Sequence, residues 1–120
     1  MKRIKDSKIY LEQIIEYCLD IESYIDGVLK INFLQNKEKQ DAVVRKIEVI
    51  GEIVKRLPAI LKESSPNIPW KDISGMRDIL IHDYAFVDLS ETWKVARVDI
   101  PKLKRQVIKI LKNIGKKEEE

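Results

Sequence analysis

The residues best suited to chemistry lie together in one short segment of the chain. Residues 75–84 read Gly-Met-Arg-Asp-Ile-Leu-Ile-His-Asp-Tyr, which brings a guanidinium, two carboxylates, an imidazole and a phenol close together in sequence. His82 is the only histidine of the protein, and histidine is the side chain that most readily gains and loses a proton near neutral pH. This combination is typical of a site that binds a phosphodiester.

Cleavage of RNA would use each of these groups. Arg77 can hold a phosphate through its planar fork of donors, His82 can move a proton, and Tyr84 can donate a hydrogen bond. Because RNA carries its own nucleophile, the 2′-hydroxyl, the reaction needs deprotonation, charge stabilisation and a protonated leaving group. The segment therefore predicts a ribonuclease site with no metal and no cofactor. Arg77 and His82 are its candidate catalytic residues, and Asp78 and Tyr84 are auxiliary.

Helical geometry sets a condition on this site. On one straight helix, Arg77 and His82 would lie about 140° apart around the axis. Either the helix unwinds before His82, or two subunits meet and each completes the site of the other. A twofold homodimer would also supply a second histidine for the separate acid and base roles.

A purely structural interpretation is also open. A histidine near the end of a helix can be no more than a partner of the helix dipole, and Arg77 can be an ion-paired surface residue. Glu52 is a second carboxylate that either contacts Arg77 or forms an ordinary surface ion pair.

The elements that would position these residues are predicted to be helices throughout. Apolar residues recur three and four positions apart along most of the chain, without strand-like alternation. A first helix is expected behind a cap at Asp6 or Ser7 and should run to about residue 31. A second should end or kink near Leu57, because Pro58 follows. Gly51 inside the second helix predicts a close neighbouring backbone.

The second half of the chain predicts three further helices. One should begin near Trp70, with Pro69 in its first turn, and fade between residues 82 and 85. A short helix should start at Asp88, and a final helix at Asp99 should end with Gly115 as a left-handed cap. We therefore expect an up-and-down bundle of four main helices plus one short helix. Residues 1–115 would form a single domain, and residues 116–120 a mobile charged tail.

Composition excludes several classes of protein. The chain has 120 residues, a formal net charge of +3, one cysteine and one histidine, so neither an intramolecular disulfide nor a structural zinc site can be built within it. Its four glycines are too far apart for a nucleotide-binding loop, and no apolar run is long enough to span a membrane. A cytoplasmic location is the expectation.

Three other features have both a structural and a functional interpretation. Trp70 and Trp93 could stack on bases but are expected in the core, and Cys18 lies on the apolar side of the first helix. The segment from Pro101 to Lys117 holds seven basic residues and no acidic one. It is either a solvated face, an RNA-binding track, or a docking strip for an acidic partner.

The spacing Arg77, four residues, His82, one residue, Tyr84 resembles the Arg-x4-His-x-Tyr motif of HEPN-domain toxins of the HepT type. Residues 41–45, 50–52, 68–73 and 88–93 also look like that family, so the resemblance covers nearly the whole chain. One difference is the position after the arginine, which is frequently Asn in the family and is Asp78 here.

The resemblance implies a HEPN-like helical homodimer that acts as a ribonuclease toxin and cuts RNA without metal, with Arg77 and His82 as its catalytic residues. It also implies an antitoxin, a minimal nucleotidyltransferase that transfers AMP from ATP to the motif tyrosine, here Tyr84. The alternative is a helical adaptor without catalytic activity that binds nucleotide or a nucleotidyltransferase in the same cleft.

Overall fold

Helix-forming sequence with apolar residues three and four positions apart produces a bundle of helices, as predicted. The computed structural model describes residues 2–83 and 86–119, and of residues 2–5, 79, 81–83 and 117–119 it describes the backbone. In chain order the elements are α1 (Lys2–Ile25), α2 (Lys30–Phe33), α3 (Lys37–Arg56), α4 (Ala59–Glu63), α5 (Trp70–Ser74), α6 (Met76–Leu80), β1 (Ile81–Asp83), β2 (Phe86–Val87), α7 (Leu89–Lys94), a π-helical turn (Val95–Asp99) and α8 (Ile100–Glu119).

The core lies where α1 packs against both α3 and α8. Side chains from all three helices meet there and are almost entirely shielded from solvent, among them Leu11, Ile14, Ile21, Val43, Ile47, Ile50, Leu103 and Val107. Burial of this apolar surface is the main stabilising contribution to the bundle. α5 and α6 also pack against α3, so α3 connects the core to the segment that carries the candidate residues.

The boundaries predicted for the first helix are wrong at both ends. α1 begins at Lys2, before Asp6 and Ser7, because residues 2–5 include no helix-breaking residue. It ends at Ile25 and not near residue 31. Gly27 has a φ of 71°, a left-handed conformation that glycine adopts without the steric cost borne by other residues and that stops the helix.

α3 matches its prediction closely. Asn36 caps it, with the side-chain oxygen accepting a hydrogen bond from the Lys39 amide at 3.0 Å. The helix ends at Arg56, and Leu57 is extended because it precedes a proline. The predicted close approach at Gly51 is confirmed: a Cβ placed there would lie 3.1 Å from the carbonyl oxygen of Ile73 in α5.

The expected third helix is divided in two and followed by a small hairpin. α5 begins at Trp70 and gives way to α6 at Gly75, and α6 ends at Leu80. β1 then pairs with β2 in antiparallel orientation, with Ile81 opposite Val87. This short hairpin is a local exception within an otherwise all-α fold.

The predicted cap at Asp88 is confirmed, since its side chain accepts a hydrogen bond from the Glu91 amide at 3.0 Å. The predicted new helix at Asp99 is wrong, because α7 continues through the π-helical turn into α8. In a regular α-helix the ring of Pro101 would clash with the carbonyl of Arg97. The wider π-helical turn includes Arg97 and leaves room for the ring.

The left-handed cap predicted at Gly115 is also wrong. α8 remains helical through this residue as far as Glu119, since glycine inside a helix costs only about 1 kcal/mol. The positive charge of Lys116 also interacts favourably with the negative, C-terminal end of the helix dipole. The mobility of residues 116–120 and the limits of the domain stay predictions. Within the described part of the chain, no helix has both the length and the apolar character needed to cross a membrane.

Candidate functional site

Arg77 lies on α6 with its side chain 56% exposed. Its Nε is 3.7 Å from Oε2 of Glu48 on α3, and its Nη1 is 3.9 Å from Oδ1 of the neighbouring Asp78. Both distances exceed the range of a good hydrogen bond, so these carboxylates attract the guanidinium without engaging its donors closely. The side chain is therefore oriented by charge yet accessible to an anionic ligand.

Glu48 is the carboxylate that the sequence analysis missed. Glu52, considered there as a partner of Arg77, instead lies 3.2 Å from Lys55 on the same helix, which is the surface ion pair of the alternative interpretation. Glu48 precedes Gly51 by three residues and so lies on the same side of α3, where α5 approaches. The position of Gly51 indicates this side of α3 but does not distinguish Glu48 from Glu52, which lies one turn further along the helix.

The helix that carries Arg77 ends before His82. α6 stops at Leu80, and the backbone of His82 belongs to β1, so the 140° separation calculated for one continuous helix does not apply. The sequence left open either an unwound helix or a site shared by two subunits, and the structure shows that the helix ends before His82. The imidazole of His82 and the whole of Tyr84 lie outside the described part of the chain. The convergence of both groups with Arg77 and Asp78 therefore stays a prediction.

The segment between α6 and α7 is anchored at its two ends. Leu80 is fully buried, and its carbonyl oxygen accepts a hydrogen bond from the amide of Asp88 at 2.8 Å. Asp88 in turn caps α7, and Ile81 pairs with Val87 between these points. Leu80 and Asp88, the two ends of the segment that includes His82 and Tyr84, thus lie next to each other, about one helical turn from Arg77.

A cleft of about 200 Å³ lies beside this segment, between α3, α5 and α6 on one side and α8 on the other. Met76, the neighbour of Arg77, lines it together with Lys102 and Gln106 of α8. Lys94 and Asp99 also line it. Nζ of Lys94 donates a hydrogen bond to Oδ2 of Asp99 at 3.1 Å, which raises the pKa of the lysine. The cleft combines an apolar floor with a charged rim.

Metal ligands are not clustered among the side chains that the structure describes. The metal-independent chemistry expected from the sequence stays a prediction, since the side chains of His82 and Asp83 are outside that set.

The remaining candidates, Trp70, Trp93 and Cys18, pack in or against the core. Trp70 is buried, and its Nε1 donates hydrogen bonds to the carbonyls of Lys62 and Ser65 at 3.0 and 3.1 Å. Trp93 packs against Phe33 with ring centres 5.2 Å apart. Burial raises the pKa of the Cys18 thiol to about 12, which keeps it protonated and unreactive.

Comparison with known proteins gives one consistent family. Residues 14–110 match the HepT-like family, described as ribonuclease HepT-like. A protein of Thermococcus cleftensis named "Probable ribonuclease HepT" is 42% identical over 112 residues, which are 93% of this chain and 100% of that protein. A "Putative RNase" of Methanocaldococcus jannaschii is 43% identical over 96% of this chain and 95% of its own length.

A longer relative shows the same similarity over part of its length. It is a protein of Methanocaldococcus jannaschii named "Gamma-glutamylcyclotransferase and putative RNase", 47% identical over 93% of this chain. The chain spans 50% of that relative. No solved structure matches the chain.

Proposed function

Since the chain belongs to the HepT-like ribonuclease family and is a ribonuclease, we propose that it is a metal-independent endoribonuclease with its site at the end of α6. The observation that carries this proposal is the state of Arg77. It is an exposed guanidinium held between two carboxylates at long range, about one helical turn before α6 ends at Leu80. An arginine held in this way can exchange a weak contact for a bidentate one with a phosphate.

The proposed reaction proceeds by attack of the RNA 2′-oxygen on the adjacent phosphorus. The 2′-hydroxyl loses its proton to a base, the bond between oxygen 2′ and phosphorus forms, and the bond from phosphorus to the 5′-oxygen breaks. The departing 5′-oxygen takes a proton, so the products are a 2′,3′-cyclic phosphate and a 5′-hydroxyl. Arg77 stabilises the negative charge of the phosphorane, and His82 is the acid or base.

Asp78 and Tyr84 have auxiliary roles in this proposal. The Asp78 carboxylate is 86% exposed and competes with phosphate for the Arg77 guanidinium, so it tunes how tightly RNA binds. Tyr84 donates a hydrogen bond to the phosphate. Because one histidine serves as acid or base, a homodimer in which the second copy contributes the other group completes the reaction.

We further propose that the protein is the toxin of a cytoplasmic toxin–antitoxin pair. Its antitoxin would be a minimal nucleotidyltransferase that adds AMP to Tyr84: the phenol oxygen bonds to the α-phosphorus of ATP, and pyrophosphate leaves. A nucleotide attached there would fill the phosphate-binding site and repel RNA by its charge.

Incubation of the purified protein with RNA in EDTA tests the catalytic proposal. We expect cleavage that leaves 2′,3′-cyclic phosphate ends, with a loss of about 10²- to 10⁴-fold in rate for His82→Ala. His82→Ala that cleaves as fast as wild type would contradict the assignment of His82. Intact RNA with wild-type protein would favour the alternative of a nucleotide-binding adaptor.

Intact mass after co-expression with a nucleotidyltransferase encoded next to the protein tests the modification. We expect added mass of one or more AMP units that is absent in Tyr84→Phe. Suppression of activity without added mass would show inhibition by binding alone.

A further inference from the structure

One face of α8 carries a continuous row of exposed positive charges. It consists of Lys102, Arg105, Lys109, Lys112 and Lys116, which we call the α8 basic stripe. Their spacing of three and four residues places them within about 80° around the helix axis and along about 21 Å of its length.

The basic residues of α8 lie on two faces of the helix. Leu103 and Val107 are buried on the side of α8 that meets α1. Lys104 belongs to that side as well, and its Nζ donates a hydrogen bond to Oε1 of Glu22 on α1 at 2.6 Å. Lys104 therefore stabilises the bundle, whereas the five residues of the stripe project from the opposite side.

The described residues do not neutralise the charge of the stripe. Among the described residues, none of its five cations is within ion-pair distance of a carboxylate. A favourable interaction with the helix dipole accounts for cations in the last turn only, near Lys116. Lys102, Arg105 and Lys109 lie well before that turn, so the dipole does not explain them.

The stripe begins at the cleft beside the candidate site. Lys102, its first residue, lines the same cleft as Met76, the neighbour of Arg77. Asp99 in this cleft is neutralised by Lys94 at 3.1 Å. A strand bound along α8 that continues into the cleft would therefore reach α6, the helix that carries Arg77.

The chemistry of the stripe favours a nucleic-acid strand over a folded protein. The stripe is flanked on one side by the amides Gln106 and Asn113 and on the other by Pro101 and Ile108, which are half-buried. This face therefore lacks the exposed apolar centre that a stable protein interface needs. A repeating row of cations matches the repeating phosphates of a polyanion.

We propose that the α8 basic stripe binds the phosphate backbone of the RNA strand to one side of the scissile bond. This inference rests on the proposed function, because it assumes that Arg77 holds the scissile phosphate. It predicts that affinity depends on RNA length, since a strand must extend beyond the cleft to reach Lys109, Lys112 and Lys116.

The test compares two triple variants of equal charge. The first is Lys109→Gln, Lys112→Gln and Lys116→Gln. The control, Lys30→Gln, Lys37→Gln and Arg45→Gln, removes three exposed cations from α2 and α3. The probes are single-stranded 2′-O-methyl oligonucleotides, which keep the phosphates and cannot be cleaved through the 2′-oxygen. One probe is about 15 nucleotides long, and the other about four.

With the long probe, each phosphate contact on a single strand contributes about 0.7 to the slope of log affinity against log salt concentration. Between about 50 and 200 mM salt, wild-type and control affinities should therefore fall about 20-fold more than that of the stripe variant. The short probe should bind all three proteins equally.

A stripe variant that binds the long probe like the control would overturn the proposal. So would unchanged RNA affinity combined with lost binding of the nucleotidyltransferase, which would assign the stripe to an acidic protein. Cleavage by the wild-type protein is measured in parallel. Normal cleavage without a stripe effect rejects the stripe alone, whereas a stripe effect without any cleavage supports RNA binding and rejects the proposed catalysis.

Discussion

The three-helix core and the segment from Trp70 to Asp88 are built in different ways. α1, α3 and α8 are each at least 20 residues long and bury apolar residues along their whole contact. Between Trp70 and Asp88, no element of the described residues exceeds five residues, and the backbone changes conformation at Gly75 and again after Leu80. The segment is held by the packing of α5 and α6 against α3 and by its return to α7.

We therefore expect a division between the two regions, in which the core determines stability and the segment determines catalysis. Substitutions in the core should change the free energy of unfolding and leave the chemistry of the folded molecules intact. Substitutions in the segment should change RNA cleavage, and stability only where one of its anchoring contacts is lost.

The largest effect on stability is expected from Ile21→Ala in the core. Ile21 is fully buried on α1, so its truncation leaves a cavity and should lower the free energy of unfolding by about 2–5 kcal/mol. Urea denaturation measures this change. Leu19→Ala is the matched control, since Leu19 is 51% exposed on the same helix and should change stability by about 0.5 kcal/mol or less. Altered cleavage per folded molecule in Ile21→Ala would contradict the division.

The complementary change is Arg77→Ala. Loss of a donor that stabilises transition-state charge should reduce the cleavage rate about 10²- to 10³-fold, equivalent to about 2.7–4 kcal/mol. Stability should change by about 1 kcal/mol or less, because the side chain is more than half exposed and its ion contacts are long. Arg45→Ala, an exposed arginine on α3, is the control. Equal rates for the two variants would remove Arg77 from the catalytic site.

Gly51→Ala tests the contact between the two regions. The new methyl group would lie 3.1 Å from the Ile73 carbonyl oxygen and would push α5 away from α3. Overpacking of this kind costs about 1–3 kcal/mol, and the displacement of α6 should also slow RNA cleavage. Gly115→Ala is the control: a Cβ placed there would meet no atom within 4 Å beyond its own stretch of helix, so higher helix propensity should stabilise the protein by about 0.5–1 kcal/mol. Normal cleavage by a destabilised Gly51→Ala would show that α6 moves independently of α5.

The smallest effect is expected from Asp88→Ala. Removing the cap of α7 should cost about 1 kcal/mol and loosen the point where the segment returns to the bundle. Asp88→Asn, which keeps the acceptor oxygen, should restore most of the stability. Thermal unfolding measures both variants. Equal losses in the two would show that the carboxylate charge matters more than the hydrogen bond.

The core and the segment also differ in how much of them the sequence predicts. The apolar periodicity of α1 and α3 identifies Ile14, Ile21 and Ile47 as core residues, since such a pattern has one stable solution, burial against another helix. Helix ends are less determined. The left-handed Gly27 ends α1 early, while Gly115 remains helical, and the same residue type thus has opposite outcomes in two backbone contexts.

The candidate site was predictable in its residues and less so in its contacts. Arg77 is identified as a candidate because it lies five positions before His82, the only histidine of the sequence. Its partner Glu48 is not identified in this way, because which of two glutamates one turn apart faces Arg77 depends on how α6 approaches α3. The π-helical turn was likewise not predicted, because it depends on packing at both ends of a helix and has no reliable local signal.

The π-helical turn from Val95 to Asp99 has a consequence for the orientation of α8. A π-helical turn arises when one extra residue is accommodated in an α-helix, and it rotates everything downstream by about 100° relative to everything upstream. Here α7 packs toward α3 and α6, whereas α8 packs toward α1. The extra residue therefore sets which face of the last helix meets α1, and deleting it would turn Leu103 and Val107 out of the core together with the row of basic residues on the opposite face.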